Sequence, residues 1–271
     1  MVSGMARLVH WSTAFSVLFG FCMPTMAELP DQITLRYLAT FPHDVRSYTQ
    51  GLLWHGGFLY ESAGQYGESS LRRVELKTGN ITARLDLPRQ YFAEGLALVG
   101  DSLFQLTWRE NVCFVYDRQT FQRTGQFQYP GEGWGLTYDG RHLIMSDGSH
   151  SLRFLDPKTF RVQRRVDVFD RKGNWPQPVR NLNELEWIRG EIWANVWQTT
   201  KIARIAPRTG NIIGWIEMES FVPEALRGDL HDKVLNGIAF DPEHNHVYIT
   251  GKYWNVLHQF LLEVPDPQNR P

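Results

Sequence analysis

Short apolar stretches separated by turn residues run along most of this chain, and five of them open alike. A polar or aromatic residue comes first, then usually Gly, then Leu or Ile: Gln50-Gly51-Leu52, Glu94-Gly95-Leu96, Trp134-Gly135-Leu136, Asn183-Glu184-Leu185 and Asn236-Gly237-Ile238. The openings lie 44, 40, 49 and 53 residues apart, the length of one four-stranded propeller blade. Second strands are predicted at Phe58–Ala63, Ser102–Trp108, His142–Asp147, Glu191–Trp197 and His246–Lys252. Third strands follow at Leu71–Leu76, Val112–Tyr116, Ser151–Leu155, Ile202–Ile205 and Leu257–Glu263. Fourth strands are predicted at Ile81–Leu87, Gly125–Tyr129, Val162–Val168 and Ile212–Met218, with none in the fifth repeat. The segment 33–39, which reads like Ile81–Leu87, supplies the missing strand. The expected fold is therefore all-β, a five-bladed β-propeller closed by an N-terminal strand that completes the last blade, which pairs the edges the two termini would otherwise expose. An open sandwich or a barrel is the alternative. Two long connections, 170–180 and 221–234, exceed what a turn needs and suit lids or solvated excursions equally.

Residues 1–27 do not fit the repeat. Arg7 is their only charged side chain, an apolar stretch runs to Cys22, and small residues precede Glu28. This pattern predicts a signal peptide cleaved after Ala27 and a single propeller domain over 28–271. The mature chain is then expected to be exported, periplasmic or secreted, with no membrane segment. Loss of Arg7 moves the formal net charge from −1 to −2, a balance that argues against nucleic acid as a partner. Only Cys113 stays after cleavage, so no internal disulfide is expected, and its apolar strand suits a buried, inert thiol.

The varying first residue of each repeat carries the chemistry. Counting back from the tight turns at Gly100-Asp101 and Arg189-Gly190 sets Glu94 opposite Thr107 and Asn183 opposite Val196. The turn at 243–245 sets Asn236 near Gly251 and Lys252. Gln50, Glu94, Trp108, Trp134, Asn183, Trp197, Asn236 and Lys252 should then ring one mouth of the central channel. That mouth offers a carboxylate, an ammonium, amides and indoles, with no Ser-His-Asp set and no phosphate loop. Apolar walls raise a carboxyl pKa, which suits Glu94 to giving and taking protons near neutral pH. Each residue also has a plainer role open to it: turn capping for Asn183 and Asn236, core packing for the tryptophans, solvation for Lys252. The histidines are scattered, and His231-Asp232 is the one tempting pair for a metal.

The segments Tyr48-Thr49-Gln50-Gly51-Leu52, Phe92-Ala93-Glu94-Gly95-Leu96, Leu106-Thr107-Trp108, Trp134-Gly135-Leu136, Leu182-Asn183-Glu184-Leu185-Glu186, 194–199, 235–239 and Thr250-Gly251-Lys252 resemble the plant-type, or bacterial type II, glutaminyl-peptide cyclotransferases. The resemblance implies a five-bladed propeller that converts an N-terminal glutaminyl residue of peptides or proteins to pyroglutamate and releases ammonia. It implies Glu94 as general acid and base. It implies a substrate pocket of Gln50, Phe92, Trp108, Trp134, Asn183, Trp197 and Lys252, with Asn236 a weaker candidate. Tyr48 stands where the family often has Phe. No cofactor and no catalytic metal are expected, and a monomer is expected. Two other classes stay open: a non-catalytic exported propeller that binds peptides or partner proteins, and a lactonase-like propeller with carboxylates and Asn around calcium, for which Glu184 and Glu186 are the additional acids.

Overall fold

The computed structural model describes Met1 and residues 33–173, 175–228 and 231–263. The leader proposed at 1–27 lies, apart from Met1, outside the described residues. Among the described residues there are five antiparallel four-stranded sheets and one two-stranded ladder. Blade one holds Thr49–His55, Phe58–Ala63, Ser70–Glu75 and Ile81–Asp86. Blade two holds Ala93–Val99, Ser102–Thr107, Val112–Asp117 and Arg123–Gln128. Blade three holds Leu136–Tyr138, Leu143–Met145, Ser151–Leu155 and Val162–Asp167. Blade four holds Leu182–Ile188, Glu191–Val196, Lys201–Ile205 and Ile212–Glu217. Blade five holds Leu235–Asp241, His246–Gly251 and Val256–Glu263, with Thr34–Pro42 as its outer strand. That strand pairs from Thr34↔Glu263 to Pro42↔Val256, so the ring closes as the sequence predicts.

Burial follows the distance from the axis. Inner strands such as Ala93–Val99 are buried over their first five residues, whereas Arg123–Gln128 is exposed at nearly every position. Five apolar clusters fill the five clefts between neighbouring blades. Leu71, Leu96 and Phe114 fill the cleft between blades one and two, and Leu52, Val74 and Tyr248 fill the one between blades five and one. Each blade is too thin to bury its own faces, so the ring is the unit that removes them from water. Cys113 belongs to the cluster between blades two and three, and burial pushes its thiol pKa well up, as suits an inert residue.

The Gly of the repeated opening has a packing reason. Inner strands of adjacent blades touch where they start. A Cβ on Gly95 would lie 2.4 Å from the Leu136 amide nitrogen, and one on Gly135 would lie 2.0 Å from the Asn183 carbonyl oxygen. Only a residue without a side chain allows the backbones this near. Neither long connection lines the channel mouth among its described residues. The first is closed by a short ladder of Phe169–Asp170 with Gln177–Pro178, and the 3-10 turn Glu219–Phe221 leads into the second, which contains the 3-10 turn Glu224–Leu226.

Candidate active site

A one-residue bulge marks the start of the inner hairpin in four blades. The register slips between Thr49 and Gly51, Ala93 and Leu96, Leu182 and Leu185, and Leu235 and Ile238. Gln50, Glu94, Asn183 and Asn236 sit within these slips. A bulge breaks the in-out alternation of a strand and re-aims a side chain. It also corrects the register expected from turn counting. Ala93, not Glu94, faces Thr107, and Leu182, not Asn183, faces Val196; Leu235 faces Gly251, which leaves Asn236 beside that pair as expected. In blade three the ladder starts later, and Trp134 is held by its amide donating to the Ser146 carbonyl at 3.0 Å.

The re-aimed side chains line one cavity at the channel mouth. Its polar groups are Gln50, Gln65, Glu94, Asn183 and Lys252. Its walls are Tyr48, Phe92, Trp108, Trp134 and Trp197. Every pocket residue expected from the sequence is here, joined by Tyr48 and Gln65. Gln65 lies in the loop after the second strand of blade one, with a φ of 115°, and nothing in the repeat points to it. Asn236 is the exception. It is wholly buried behind Gln50 and outside the cavity wall, where its amide donates to the Thr49 carbonyl at 2.8 Å and to Gln50 Oε1 at 3.2 Å.

That contact begins a chain of hydrogen bonds. With its oxygen taken by Asn236, Gln50 turns its Nε2 toward Glu94 Oε1, 2.9 Å away. Behind Gln50, Glu61 accepts from Ser47 Oγ at 2.5 Å and Thr49 Oγ1 at 2.7 Å, and lies 3.0 Å from His43 Nε2. This buried network fixes the strand on which Gln50 rides. Burial disfavours the Glu61 charge, but His43, Arg72 and the Ser47 hydroxyl outweigh it and hold the pKa at about 2.

Glu94 is only 4 % exposed. Burial pushes its pKa well above the usual carboxylate range; Glu132 and Glu110 add to the rise, and Lys252 opposes it. Its Oε2 and the Asn183 Oδ1 are buried with no hydrogen-bond partner among the described residues. Lys252 is also buried, which lowers its pKa to about 8 against the opposing pull of Glu94 and Asp232. Its ammonium sits 4.4 Å from the centre of the Tyr48 ring.

Glu132, which sequence reasoning missed, organises the walls. Its Oε2 accepts the indole N–H of Trp108 at 2.8 Å and of Trp134 at 3.0 Å, and its Oε1 accepts Arg109 Nε at 3.0 Å. Burial opposes its charge, yet these three donors hold its pKa below the ordinary value. Trp134 meets Trp197 edge to face at 5.6 Å, and Phe92 meets Trp108 at 5.5 Å. Glu184 and Glu186 are used differently from a calcium ring. Glu184 accepts from the Leu52 and Ile238 amides, and Glu186 from the Phe240 amide and the Thr137 hydroxyl, so both tie inner strands together.

A buried carboxyl of raised pKa, a lysine of lowered pKa and three indoles around one propeller mouth define a site for acid–base chemistry on a small polar group. The chain belongs to the glutamine cyclotransferase family, whose model matches residues 13–262. It is 42% identical over 232 residues to the glutaminyl-peptide cyclotransferase of Arabidopsis thaliana, covering 84% of this chain and 71% of that protein. The crystal structure of Myxococcus xanthus glutaminyl cyclase matches it with a TM-score of 0.77 at 36% identity, over 88% of this chain and 100% of that one.

Proposed function

We propose that this chain is a glutaminyl-peptide cyclotransferase that closes the N-terminal glutamine of peptides or proteins to pyroglutamate and releases ammonia. Family membership favours catalysis over a purely binding propeller. The observation that carries the assignment of roles is Glu94: a buried carboxyl lining the cavity, with one oxygen held by Gln50 and the other without a partner among the described residues.

The substrate α-amine has a pKa of about 7.7–8.0, so a modest base suffices to deprotonate it. As its nitrogen bonds to the γ-carboxamide carbon, Glu94 takes a proton from that nitrogen. The carbonyl π electrons move to oxygen, and the Lys252 ammonium, with the Asn183 carboxamide, holds the charge that develops there. Glu94 then gives the proton to the amide nitrogen, the old C–N bond breaks, and ammonia leaves. One carboxyl serves as base and then acid, which a raised pKa favours. Both reacting groups belong to one residue, so holding glutamine curled between Trp108, Trp134 and Trp197 supplies much of the rate.

Glu94→Gln should lower ammonia release from a short Gln-initiated peptide by at least about 1,000-fold, while peptide binding stays measurable by calorimetry. Near-normal turnover in this variant rejects the role of Glu94. Export belongs to the same proposal and rests on the leader pattern of residues 1–27; recovery of the uncleaved protein in the cytoplasmic fraction alone would count against it.

A further inference from the structure

The inner hairpin of blade five turns at the rim opposite the cavity, and three metal-ligand side chains converge there. Asp241 ends the inner strand, His244 lies in the turn, and His246 opens the second strand. One ligand atom from each lies within 4.8 Å of the others. Ligands on a tetrahedral zinc sit about 3.3 Å apart, a contraction that rotation of the two imidazoles reaches. Asp241 is buried and fixed: one oxygen accepts the Glu243 amide at 3.0 Å, and the other lies 2.8 Å from His244 Nδ1. The imidazoles of His244 and His246 stack at 5.6 Å with their planes 19° apart.

An Asp that caps its own hairpin turn and meets a His three residues on is not by itself a metal site. Blade three supplies the control. There Asp139 accepts the Arg141 and His142 amides, and its second oxygen lies 3.1 Å from His142 Nδ1. Turn capping explains that pair fully, and His142 packs its ring against Phe154. Capping explains Asp241 and His244 equally well, but not His246. The position two residues after His142 is a buried Ile144.

His246 also has the outer support that metal-binding imidazoles use. Its Nδ1 lies 2.8 Å from the Gln259 amide nitrogen, which also donates to the Tyr248 hydroxyl at 3.4 Å, and exchanging the two ends of that amide would bring its oxygen to Nδ1. With that amide turned to accept from Nδ1–H, Nε2 keeps its lone pair for a cation. Outside the cluster, a groove between the inner hairpins of blades one and five is lined by His55, Gly56, Gly57, Glu243 and His244, which gives solvent a way in.

We propose that Asp241, His244 and His246 bind a divalent cation of borderline softness, zinc above all, at the end of the propeller opposite the catalytic cavity. Two imidazoles and one carboxylate are a donor set that such ions select over calcium or magnesium. The inner strand from Asn236 to Asp241 spans about 16 Å at roughly 3.3 Å per residue, so the cation lies far from Glu94 and acts on the closing blade rather than on chemistry.

The test uses the tag-free, metal-stripped protein. Calorimetric titration with zinc should show one ion per chain, cobalt should give the intense visible bands of a low-coordinate site, and zinc should raise the thermal midpoint. His246→Ala, which leaves a pair like that of blade three, should weaken zinc binding at least 30-fold, and His142→Ala should not. Cyclotransferase turnover without zinc should match the wild type in both variants, which shows that they fold. Zinc binding by His246→Ala equal to wild type, or wild-type binding no tighter than that of the double variant His244→Ala/His246→Ala, overturns the proposal.

Discussion

Trp108 and Trp134, on different blades, donate their indole N–H groups to the same carboxylate oxygen, Glu132 Oε2. The two rings that face the substrate are therefore positioned together by one ionised side chain. Replacing that carboxylate by an amide removes two charge-assisted bonds, each worth about 1.5–3 kcal/mol where solvent is excluded and less here, since Glu132 is partly exposed. We predict that Glu132→Gln raises KM for a Gln-initiated peptide about tenfold, with a smaller change in kcat, and shifts tryptophan emission to the red. A lower thermal midpoint with unchanged KM and emission would show that Glu132 only stabilises the fold.

Lys252 sets an alkaline limit on turnover. Its ammonium is the form that holds developing negative charge, and burial brings its pKa to about 8. Turnover should rise with pH as Glu94 and the substrate amine lose protons, then fall through about pH 8 as Lys252 does. Lys252→Arg keeps its charge at all these pH values. Whatever activity that variant retains should no longer fall above pH 8 in a kcat profile. An unchanged alkaline limb assigns it to another group.

Close backbone approach at Gly95 predicts a sharp effect for the smallest substitution. The added methyl group would meet backbone atoms of Trp134, Gly135 and Leu136, none of which can rotate away. Gly95→Ala should cost about 3 kcal/mol or more, a drop in the thermal midpoint of roughly 6–12 °C. Because Glu94 is the preceding residue, turnover at 25 °C should fall as well. Gly125→Ala is the control for added bulk alone, since that outer-strand position has an ordinary backbone and its nearest neighbour, Val115 Cβ, lies 4.0 Å from an added Cβ.

The buried Glu61 network makes stability pH-dependent with two opposite signs. The folded pKa of Glu61, about 2, lies below its reference value of 4.5. Its contribution is present above pH 4.5 and is lost as pH falls toward 2. The His43 pKa is raised above 6.5: burial opposes its charge, and Glu61 more than compensates. Its contribution is full below pH 6.5 and is lost as pH rises through the folded value. Glu61→Gln should remove about 3 kcal/mol at neutral pH and flatten the thermal midpoint between pH 2 and 4.5. A parallel acid limb in wild type and variant rejects this source.

The blade count, the closing strand and the rim that carries the site were all legible in the sequence, because each follows from a pattern repeated five times. The register was not. Turn counting set Glu94 opposite Thr107, and the bulge shifted that place to Ala93. A bulge exists only in the pairing of two strands, and the string Ala93-Glu94-Gly95 does not announce it. Glu132 was hidden for another reason: within Pro130-Gly131-Glu132-Gly133 it reads as a turn residue, and its value comes from two indoles brought to it by separate blades. Asn236 was legible as part of the repeat but not as a residue that orients Gln50 from behind. His244 and His246 looked scattered until the hairpin set them beside Asp241.

The strand Thr34–Pro42 has its partner at the other end of the chain, in Val256–Glu263. During synthesis it emerges ahead of every other blade strand and must wait for its partner until Val256–Glu263 has been made. Gln50 and Lys252 wait on the same event, since the cavity they share needs both the first blade and the last. A nascent chain with four finished blades thus has neither a closed ring nor a complete catalytic set. Both the ring and the site thus depend on one long-range pairing, a kind of contact that closes slowly because distant parts of the chain must meet.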